Sequence, residues 1–441
     1  MDNSSWAAKA LVISFAIAVV VGTIFLALPI SSAAGAGTNI VDALFTATSA
    51  VCVTGLIVVD TGSHYSHFGQ AVILVLIQLG GLGIMTYGVF LGLAIGKGAG
   101  LKETQVVRDS FGVYTGTVTG LLLRIVLVTI AIEGVGALIL FWRWHDILPS
   151  TKEAFWFSIF HAVSAFCNAG FSTLSSSLID FRSDMVLNFV IMCLIIAGGL
   201  GFVVLMELPK LFFKVKSAHK LSLHSRTVLL MTGLLIVTGM TAIYLLEARG
   251  GLCGLGGAEG LMTALFQSVT ARTAGFNTVD IGALAPATLM VIIFLMFIGA
   301  SPGSTGGGIK TTTAAIFVAD FISYLRGRTP ELMERSISQD IVEKTYLIIT
   351  VCLCTVIASL FALTITEPRK DFLKLLFEAV SAFGTVGLST GITGNLSIGG
   401  KLIIILTMFA GRVGPLTLAL AVGGRAARGI YQYPEGKIFV G

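Results

Sequence analysis

The sequence predicts an all-α, polytopic membrane protein built from one repeated unit, and three observations carry that expectation. First, 55% of its 441 residues are hydrophobic and only 12% are charged, with a mean hydropathy of +0.94. Soluble domains carry about 25% charged residues. Second, long apolar stretches recur near 11–30, 71–96, 117–141, 186–209, 227–247, 287–300, 345–365 and 402–423. Most approach the ~20 residues a helix needs to cross the hydrocarbon core. No secretory cleavage pattern follows the first, which reads as a retained span. Third, shorter amphipathic stretches ending in glycine lie in alternate gaps.

Those four shorter stretches are "ALFTATSAVCVTGL" (43–56), "SIFHAVSAFCNAGF" (158–171), "ALFQSVTARTAGF" (264–276) and "LLFEAVSAFGTVGL" (375–388). Each runs from a Phe (45, 160, 266, 377) through small and hydroxyl residues to a Gly (55, 170, 275, 387) and then Leu or Phe. The Phe-to-Gly distance is ten residues in three copies and nine in the third. Self-similarity of this kind marks a repeat architecture. The following spans each hold small residues, expected to break the helix: "GGLGIM" (80–85), "GGLGFV" (198–203), "GASPG" (299–303) and "GRVGP" (411–415).

The unit is therefore span, re-entrant piece, span. The expected boundaries are 1–110, 111–225, 226–340 (with an intramembrane loop at 299–310) and 341–441, the last with a cytoplasmic tail. Two spans per unit bring each unit in from the same side. Inverted-repeat transporters instead relate their halves by an axis in the membrane plane. Parallel units predict eight spans in a pseudo-fourfold ring around one pathway.

Lys and Arg set orientation. The linkers hold Lys97, Lys102 and Arg108, then Lys210, Lys214, Lys216, Lys220 and Arg226, then Arg326, Arg328, Arg335 and Lys344; the tail holds Arg425, Arg428 and Lys437. "LIVVDTGSHYSHFG" (56–69) has no Lys or Arg. Linkers and termini are thus expected in the cytoplasm, although Arg143, Lys152, Arg369 and Lys370 fall on the outer side. Such basic linkers suit anionic lipid or an acidic partner ring.

Non-helical backbone survives at membrane depth only where protein buries it or where it lines water. Four extended stretches around an axis offer rings of carbonyls that replace a cation's hydration shell. Glycine lets a carbonyl turn inward where a side chain would clash, and helix C-termini favour a cation. The candidate selectivity filter is Val53-Thr54-Gly55, Asn168-Ala169-Gly170, Thr273-Ala274-Gly275 and Thr385-Val386-Gly387.

These motifs, with "TAGFNT" (273–278), "SAFGTVGLS" (381–389), "GRVGPLT" (411–417) and "YPEGKIFVG" (433–441), resemble the ion-conducting subunits of the Trk/Ktr/HKT superfamily, above all its bacterial KtrB branch. The resemblance spans essentially the whole chain. It implies potassium uptake, with sodium as an activator, through one pore per subunit, and no organic cofactor in this chain. It also implies a homodimer on a cytoplasmic ring of nucleotide-binding RCK (KtrA-like) subunits, in a bacterial cell membrane. Four filter glycines go with potassium rather than sodium preference in this family. No copy holds the full TVGYG of tetrameric channels, so fewer ordered ion sites are expected.

"SPGSTGGGIK" (301–310) has the look of a nucleotide phosphate loop, but the G-x-x-x-x-G-K-[ST] spacing fails, because Ile309 separates Gly308 from Lys310. It follows the apolar run 289–300 and lies at the depth of the other small-residue breaks. Gly costs about 1 kcal/mol and Pro about 3 in a helix interior, so helix stops there and resumes at "TTTAAIFVADFISYLRG" (311–327). We read Gly303, Ser304, Thr305, Gly306, Gly307 and Gly308 as an intramembrane gate under the filter, with Lys310 at its cytoplasmic end. Arg412 lies mid-span; an ionisable residue there is a functional candidate. It is expected to hold the loop's carbonyls or to oppose ion occupancy, and in the resembled family the matching Arg lies by a gating loop.

Other polar residues have plainer readings. Arg272 is expected to clamp the re-entrant backbone, and Glu133 to pair with a cation. Glu207 reads as solvated, and His64, His67 and His161 as surface or packing residues. The six cysteines, 52, 167, 193, 253, 352 and 354, read as small buried hydrophobes. An alternating-access cation symporter is the main alternative function. An enzyme is disfavoured, because the spans hold no Gly-x-Ser-x-Gly, H-E-x-x-H or paired aspartates. No strand followed by G-x-G-x-x-G is present, so nucleotide regulation would need another chain.

Overall fold

The computed structural model describes residues 3–94, 118–212, 221–248, 250 and 257–414. The linker cations at 97, 102, 108, 214, 216 and 220, the tail cations, Cys253 and the "YPEGKIFVG" ending lie outside the described residues. So do the last three residues of "GRVGPLT".

The described chain is almost wholly helical, and one element order recurs. The first stretch has α1 (Asn3–Ala27), α2 (Ile40–Val51), the single turn α3 (Thr61–His64) and α4 (His67–Ala94). The second has α5 (Val118–His145), α6 (Thr151–Phe166), α7 (Met185–Leu200) and α8 (Phe202–Phe212). The third has α9 (Leu223–Glu247), α10 (Gly257–Thr270), α11 (Pro286–Phe297) and α12 (Thr311–Leu325). A small hairpin, Glu331–Leu332 with Arg335–Ser336, leads to α13 (Gln339–Thr366), α14 (Phe372–Gly384) and α15 (Ile398–Val413).

Local chemistry sets many helix starts. Asn39 accepts from Val41 N–H at 2.9 Å, Asp184 from Leu187 N–H at 3.1 Å, and Asp371 from Leu373 N–H at 2.9 Å. Each side-chain oxygen satisfies an orphan first-turn donor. Pro286 opens α11, where its missing N–H costs nothing.

Among the described residues, four helices are long and apolar enough to cross a membrane, namely those at Lys9–Ala27, Leu122–His145, Leu223–Glu247 and Gln339–Thr366. They lead the four stretches. Their outward faces carry exposed Leu127, Ile130 and Leu138, then Leu234, Val237 and Leu245, then Leu353, Ile357 and Phe361. An apolar face open to the surroundings fits lipid, not water. The helices α7 and α8 are together long and apolar enough for a further span, but the pair is bent by 109° at Gly201.

The helices α2, α6, α10 and α14 lie inside. Their motif phenylalanines, Phe45, Phe160, Phe266 and Phe377, are at most 1% exposed. In the first, second and fourth stretches this inner helix packs on both flanking helices; in the third it packs on α9, which in turn packs on α11. The helix after it also packs on the next stretch's inner helix: α4 on α6, α7 on α10, α11 on α14. Finally α15 packs on α2, where Lys401 Nζ meets Asp42 at 2.7 Å. The packing order is a closed cycle.

The small-residue motifs act differently from expectation in the first stretch. Helix α4 runs unbroken through "GGLGIM". A few glycines do not by themselves stop a helix whose hydrogen bonds continue. Their use is close approach. A Cβ at Gly80 would lie 2.0 Å from Val51 O, at Gly198 1.8 Å from Phe166 O, and at Gly411 1.9 Å from Phe383 O. In each case the carbonyl belongs to the last turn of the inner helix. The cysteine expectation also needs correction: Cys52, Cys167 and Cys352 are buried, but Cys193 and Cys354 are exposed on outward faces.

Candidate functional site

The four inner helices end in the same way. Val53, Asn168, Thr273 and Thr385 take left-handed backbone, with φ of 56°, 59°, 71° and 49°. Two residues on, Gly55, Gly170, Gly275 and Gly387 have φ of 90°, 68°, 82° and 91°. Three copies share a helix-ending hydrogen-bond pair. Val53 N–H reaches Ala50 O and Thr54 N–H reaches Ser49 O at 3.1 and 2.8 Å. Asn168 and Ala169 repeat this at 3.1 and 2.7 Å, and Thr385 and Val386 at 3.2 and 2.9 Å. This is the Schellman pattern. The third copy, one residue shorter, uses Ala274 N–H to Thr270 O at 2.9 Å instead.

Glycine is the usual residue at a left-handed helix end. Here three of the four, Val53, Thr273 and Thr385, are β-branched, the worst type for positive φ. Such strain, about 1–3 kcal/mol per residue, persists only where surroundings enforce it and clusters at functional sites.

The sequence-predicted filter residues are all brought together. A Cβ on Gly55 would lie 2.3 Å from Ala169 O, on Gly170 2.7 Å from Ala274 O, and on Gly275 2.6 Å from Val386 O. On Gly387 it would lie 2.2 Å from Thr54 O, which closes the circle. Each glycine thus abuts the carbonyl of the middle residue in the next copy. No side chain fits at any of the four.

Outside this ring opens a cavity of about 450 Å³, lined by the four glycines and by Asp60, Ser172, Ser177, Asp280 and Ser389 among others. Asp60 and Asp280 each stand five residues past their glycine, in the first and third copies. Carboxylates at a cleft mouth raise the local cation concentration. The inner-helix C-termini, facing the ring, add partial negative charge.

Beneath the ring lies the glycine-rich loop between α11 and α12. Its backbone is pinned where α7 ends. Ser301 N–H donates to Gly199 O at 3.1 Å, Thr305 N–H to Gly198 O at 3.3 Å, and Gly303 O accepts from Phe202 N–H at 3.0 Å. The bend at Gly201 therefore exposes helix-end carbonyls that the loop satisfies. The loop also touches the ring: Gly307 N–H donates to Thr385 Oγ1 at 3.0 Å, and a Cβ at Gly306 would lie 2.1 Å from Thr273 Oγ1. Gly303 and Gly308 adopt φ of 74° and 67°. Ser304 Oγ donates to Ser301 O at 2.6 Å and Thr305 Oγ1 to Phe166 O at 3.3 Å. Lys310 does not simply mark the loop's end; its Nζ folds back on Gly306 O at 2.6 Å.

Arg412, only 3% exposed, donates to Thr305 O of the loop and to Gly80 O of α4. One guanidinium on the fourth stretch thereby ties the third to the first. It has no carboxylate partner among the described residues, so it is a buried positive charge held by carbonyl dipoles.

Other expectations are modified. Arg272 does not clamp the re-entrant backbone; its guanidinium reaches Thr232 Oγ1 of α9 at 3.3 Å. Glu133 faces no cation among the described residues, but accepts from Gln78 Nε2 at 3.3 Å and from the Cys167 thiol at 3.7 Å. Glu207 is not merely solvated: it accepts from Ser222 N–H at 3.1 Å and Ser222 Oγ at 3.0 Å, joining α8 to α9. His161 is a packing residue, edge-on to Trp144 and hydrogen-bonded to Ser172 at 2.9 Å. His64 pairs with Thr38 and His67 lies edge-on to Trp156.

The sequence reading passed over Glu378. Its buried carboxylate accepts from Ser389 Oγ, Thr390 N–H, Thr390 Oγ1 and Thr393 Oγ1 at 2.8, 2.9, 3.2 and 2.6 Å. It fixes the chain just past the fourth glycine. A lone acid on an inner helix facing a run of hydroxyls was the available signal.

The chain is similar to known cation transport proteins. The model of the TrkH family, described as cation transport protein, matches residues 7–423. The Ktr system potassium uptake protein B of Bacillus subtilis (strain 168) is 41% identical over 439 residues, 98% of this chain and 96% of the relative. The potassium/sodium uptake protein NtpJ of Enterococcus hirae is 38% identical over 436 residues, 97% of this chain and 95% of the relative. The crystal structure of the potassium transporter TrkH from Vibrio parahaemolyticus superposes with a TM-score of 0.73, covering 94% of this chain and 84% of its own, at 19% identity. That likeness speaks to fold alone.

Proposed function

The chain belongs to the TrkH family of cation transport proteins; it is a multi-pass membrane transporter and not an enzyme. From that premise we propose that it takes up potassium across a bacterial cell membrane through a channel-like pore. Four parallel units, with eight spans and boundaries at 1–110, 111–225, 226–340 and 341–441, surround one path in pseudo-fourfold symmetry. Val53–Gly55, Asn168–Gly170, Thr273–Gly275 and Thr385–Gly387 form its filter, with one glycine per unit. The loop 299–310 and Arg412 form its gate.

One observation carries this reading: four left-handed glycines, each against the next copy's carbonyl, in a closed ring under a polar cavity. Rings of carbonyls suit a dehydrated monovalent cation. A symporter with alternating access needs two halves that rock about a site, whereas here the cyclic packing has no such seam. Potassium is the transported ion; the potassium/sodium name of the Enterococcus relative supports sodium as activator or second cargo. The Ktr system names support further subunits. We assign these as a second copy of this chain and a cytoplasmic RCK ring, met by basic linkers beside cytoplasmic termini.

Complementation of a potassium-uptake-deficient strain tests the reading, with Gly387→Ser beside the parent chain. The parent is expected to restore growth at low potassium and Gly387→Ser to fail. Rescue by neither would sink the potassium assignment; equal rescue by both would sink the filter assignment.

A further inference from the structure

Hydroxyls inside helices ordinarily bond back to the carbonyl of the preceding turn. The inner helices obey this at Thr48 (to Leu44 O, 2.8 Å), Ser158 (to Ala154 O, 2.6 Å) and Thr263 (to Glu259 O, 2.8 Å). At one equivalent position in every copy, a hydroxyl instead bonds to the chain that follows its own inner helix. These are Ser49, Ser164, Thr270 and Ser381, each four residues after the motif phenylalanine and each fully buried. Ser164 Oγ donates to Phe171 O at 2.7 Å, Thr270 Oγ1 to Phe276 O at 2.6 Å, and Ser381 Oγ to Leu388 O at 2.6 Å. In each case the acceptor is the carbonyl of the residue just after the filter glycine. Ser49 differs: its Oγ accepts from Gly55 N–H at 3.0 Å.

A carbonyl that accepts from its own inner helix is turned toward that helix and away from the axis. The three hydroxyls therefore draw the carbonyls that follow the glycines out of the ion path. We propose that Ser164, Thr270 and Ser381 are positioning residues that end the column of inward carbonyls at the glycine and so set ion selectivity. This rests on the filter reading above and deepens it. It gives a physical reason for a filter with one glycine per unit. A longer column would need the next carbonyl to face inward, and that carbonyl is already committed. It also makes the filter unequal, because the first copy braces an amide where the other three brace a carbonyl.

The test is the ratio of potassium to sodium uptake by the full-length protein in proteoliposomes. Thr270→Val keeps the shape of the side chain and deletes its hydroxyl. Ser381→Ala does the same for the fourth copy with a smaller change of volume, so one variant serves if the other does not insert. A neutral hydrogen bond is worth enough to hold a carbonyl, and its loss is expected to lower the ratio roughly threefold to tenfold. Ser381→Thr, which keeps the hydroxyl, is expected to restore it. A parental ratio in both hydroxyl-free variants overturns the proposal. So does a fall in total uptake with the ratio unchanged, which is the mark of a purely structural role. Failure of the filter reading shows separately, as equal uptake by the parent and Gly387→Ser.

Discussion

Substitution of Gly387 by alanine separates two costs that the filter glycines carry together. The residue has φ of 91°, and a Cβ there would lie 2.2 Å from Thr54 O, 3.0 Å from the Gly55 Cα and 3.2 Å from the Gly275 Cα. The backbone part is modest: a left-handed conformation costs an L-residue about 1–2 kcal/mol. The contact part is larger. Ordinary carbon contacts lie at about 3.5 Å, so the Thr54 carbonyl must retreat by roughly 1 Å. That oxygen is one of the four middle carbonyls packed against the ring glycines, so the displacement falls on an atom that the proposed filter uses to coordinate the ion. Gly391 supplies the control. It has φ of 85° with nothing within 4 Å of a Cβ, so Gly391→Ala bears the strain without the collision. Gly391→Ala is expected to lose about 1–2 kcal/mol of stability, and Gly387→Ala more. Only Gly387→Ala is expected to lose potassium uptake, by about tenfold or more, equivalent to ~1.4 kcal/mol of ion stabilisation. Rubidium uptake into proteoliposomes, with thermal stability in detergent measured in parallel, reads both quantities. If Gly387→Ala and Gly391→Ala transport alike, the ring is packing and not a filter.

Three further outcomes follow from the contacts beneath and beside the ring. Arg412→Ala removes two charge-assisted bonds to Thr305 O and Gly80 O. Bonds to charged groups are worth about 1.5–3 kcal/mol, enough to shift a loop equilibrium roughly tenfold to a hundredfold. Resting flux should rise accordingly, and unchanged flux in a folded variant would count against the gate. Deletion of Gly306–Gly308 removes the Gly307 contact to Thr385 and shortens the loop; flux is expected to rise several-fold, and intact gating would refute the assignment. Glu378→Ala strips the acceptor from four donors in a buried site, with an expected loss of ~2–3 kcal/mol, read as a lower unfolding temperature in detergent.

The four glycine positions of the ring were legible because backbone geometry there depends on residue type. Only glycine tolerates both a positive φ and a neighbour at 2.2–2.7 Å, so the requirement shows as four glycines in register. The loop was legible for a similar reason, since Pro302 and the glycine run stop a helix between α11 and α12. The small-residue breaks were misread where glycine serves packing: Gly80 lets α4 approach Val51 O without interrupting the helix. Partner choice was the least legible layer. Nothing local to Glu133 names Gln78 or Cys167, and nothing local to Arg272 names Thr232. Those contacts join residues distant in sequence, and only the assembled helices decide them. The hydroxyls at 49, 164, 270 and 381 lie between. Their recurrence is visible in the sequence, but their bonds are not, because a helix interior offers each a nearer acceptor.

The site also constrains how gate and filter can act. Thr385 supplies both a left-handed filter residue and the hydroxyl that accepts from Gly307 N–H. Thr273, its counterpart in the third copy, has its hydroxyl where a side chain on Gly306 would stand, so the two pack closely. In the proposed gating, the loop cannot move aside without breaking the first contact and opening the second. Both contacts act on β-branched residues in strained backbone, which hold their conformation only while neighbours enforce it. Opening the loop would therefore remove direct contacts from the third and fourth copies of the ring, and from the second only the Thr305 Oγ1 bond to Phe166 O at the end of its inner helix. The filter of the proposed open state then differs from that of the closed state on one side of the ring. Selectivity measured at low flux, with the loop in place, should exceed selectivity in the Arg412→Ala variant. Equal ratios in the two would mean that the loop and the ring act independently despite their shared hydroxyl.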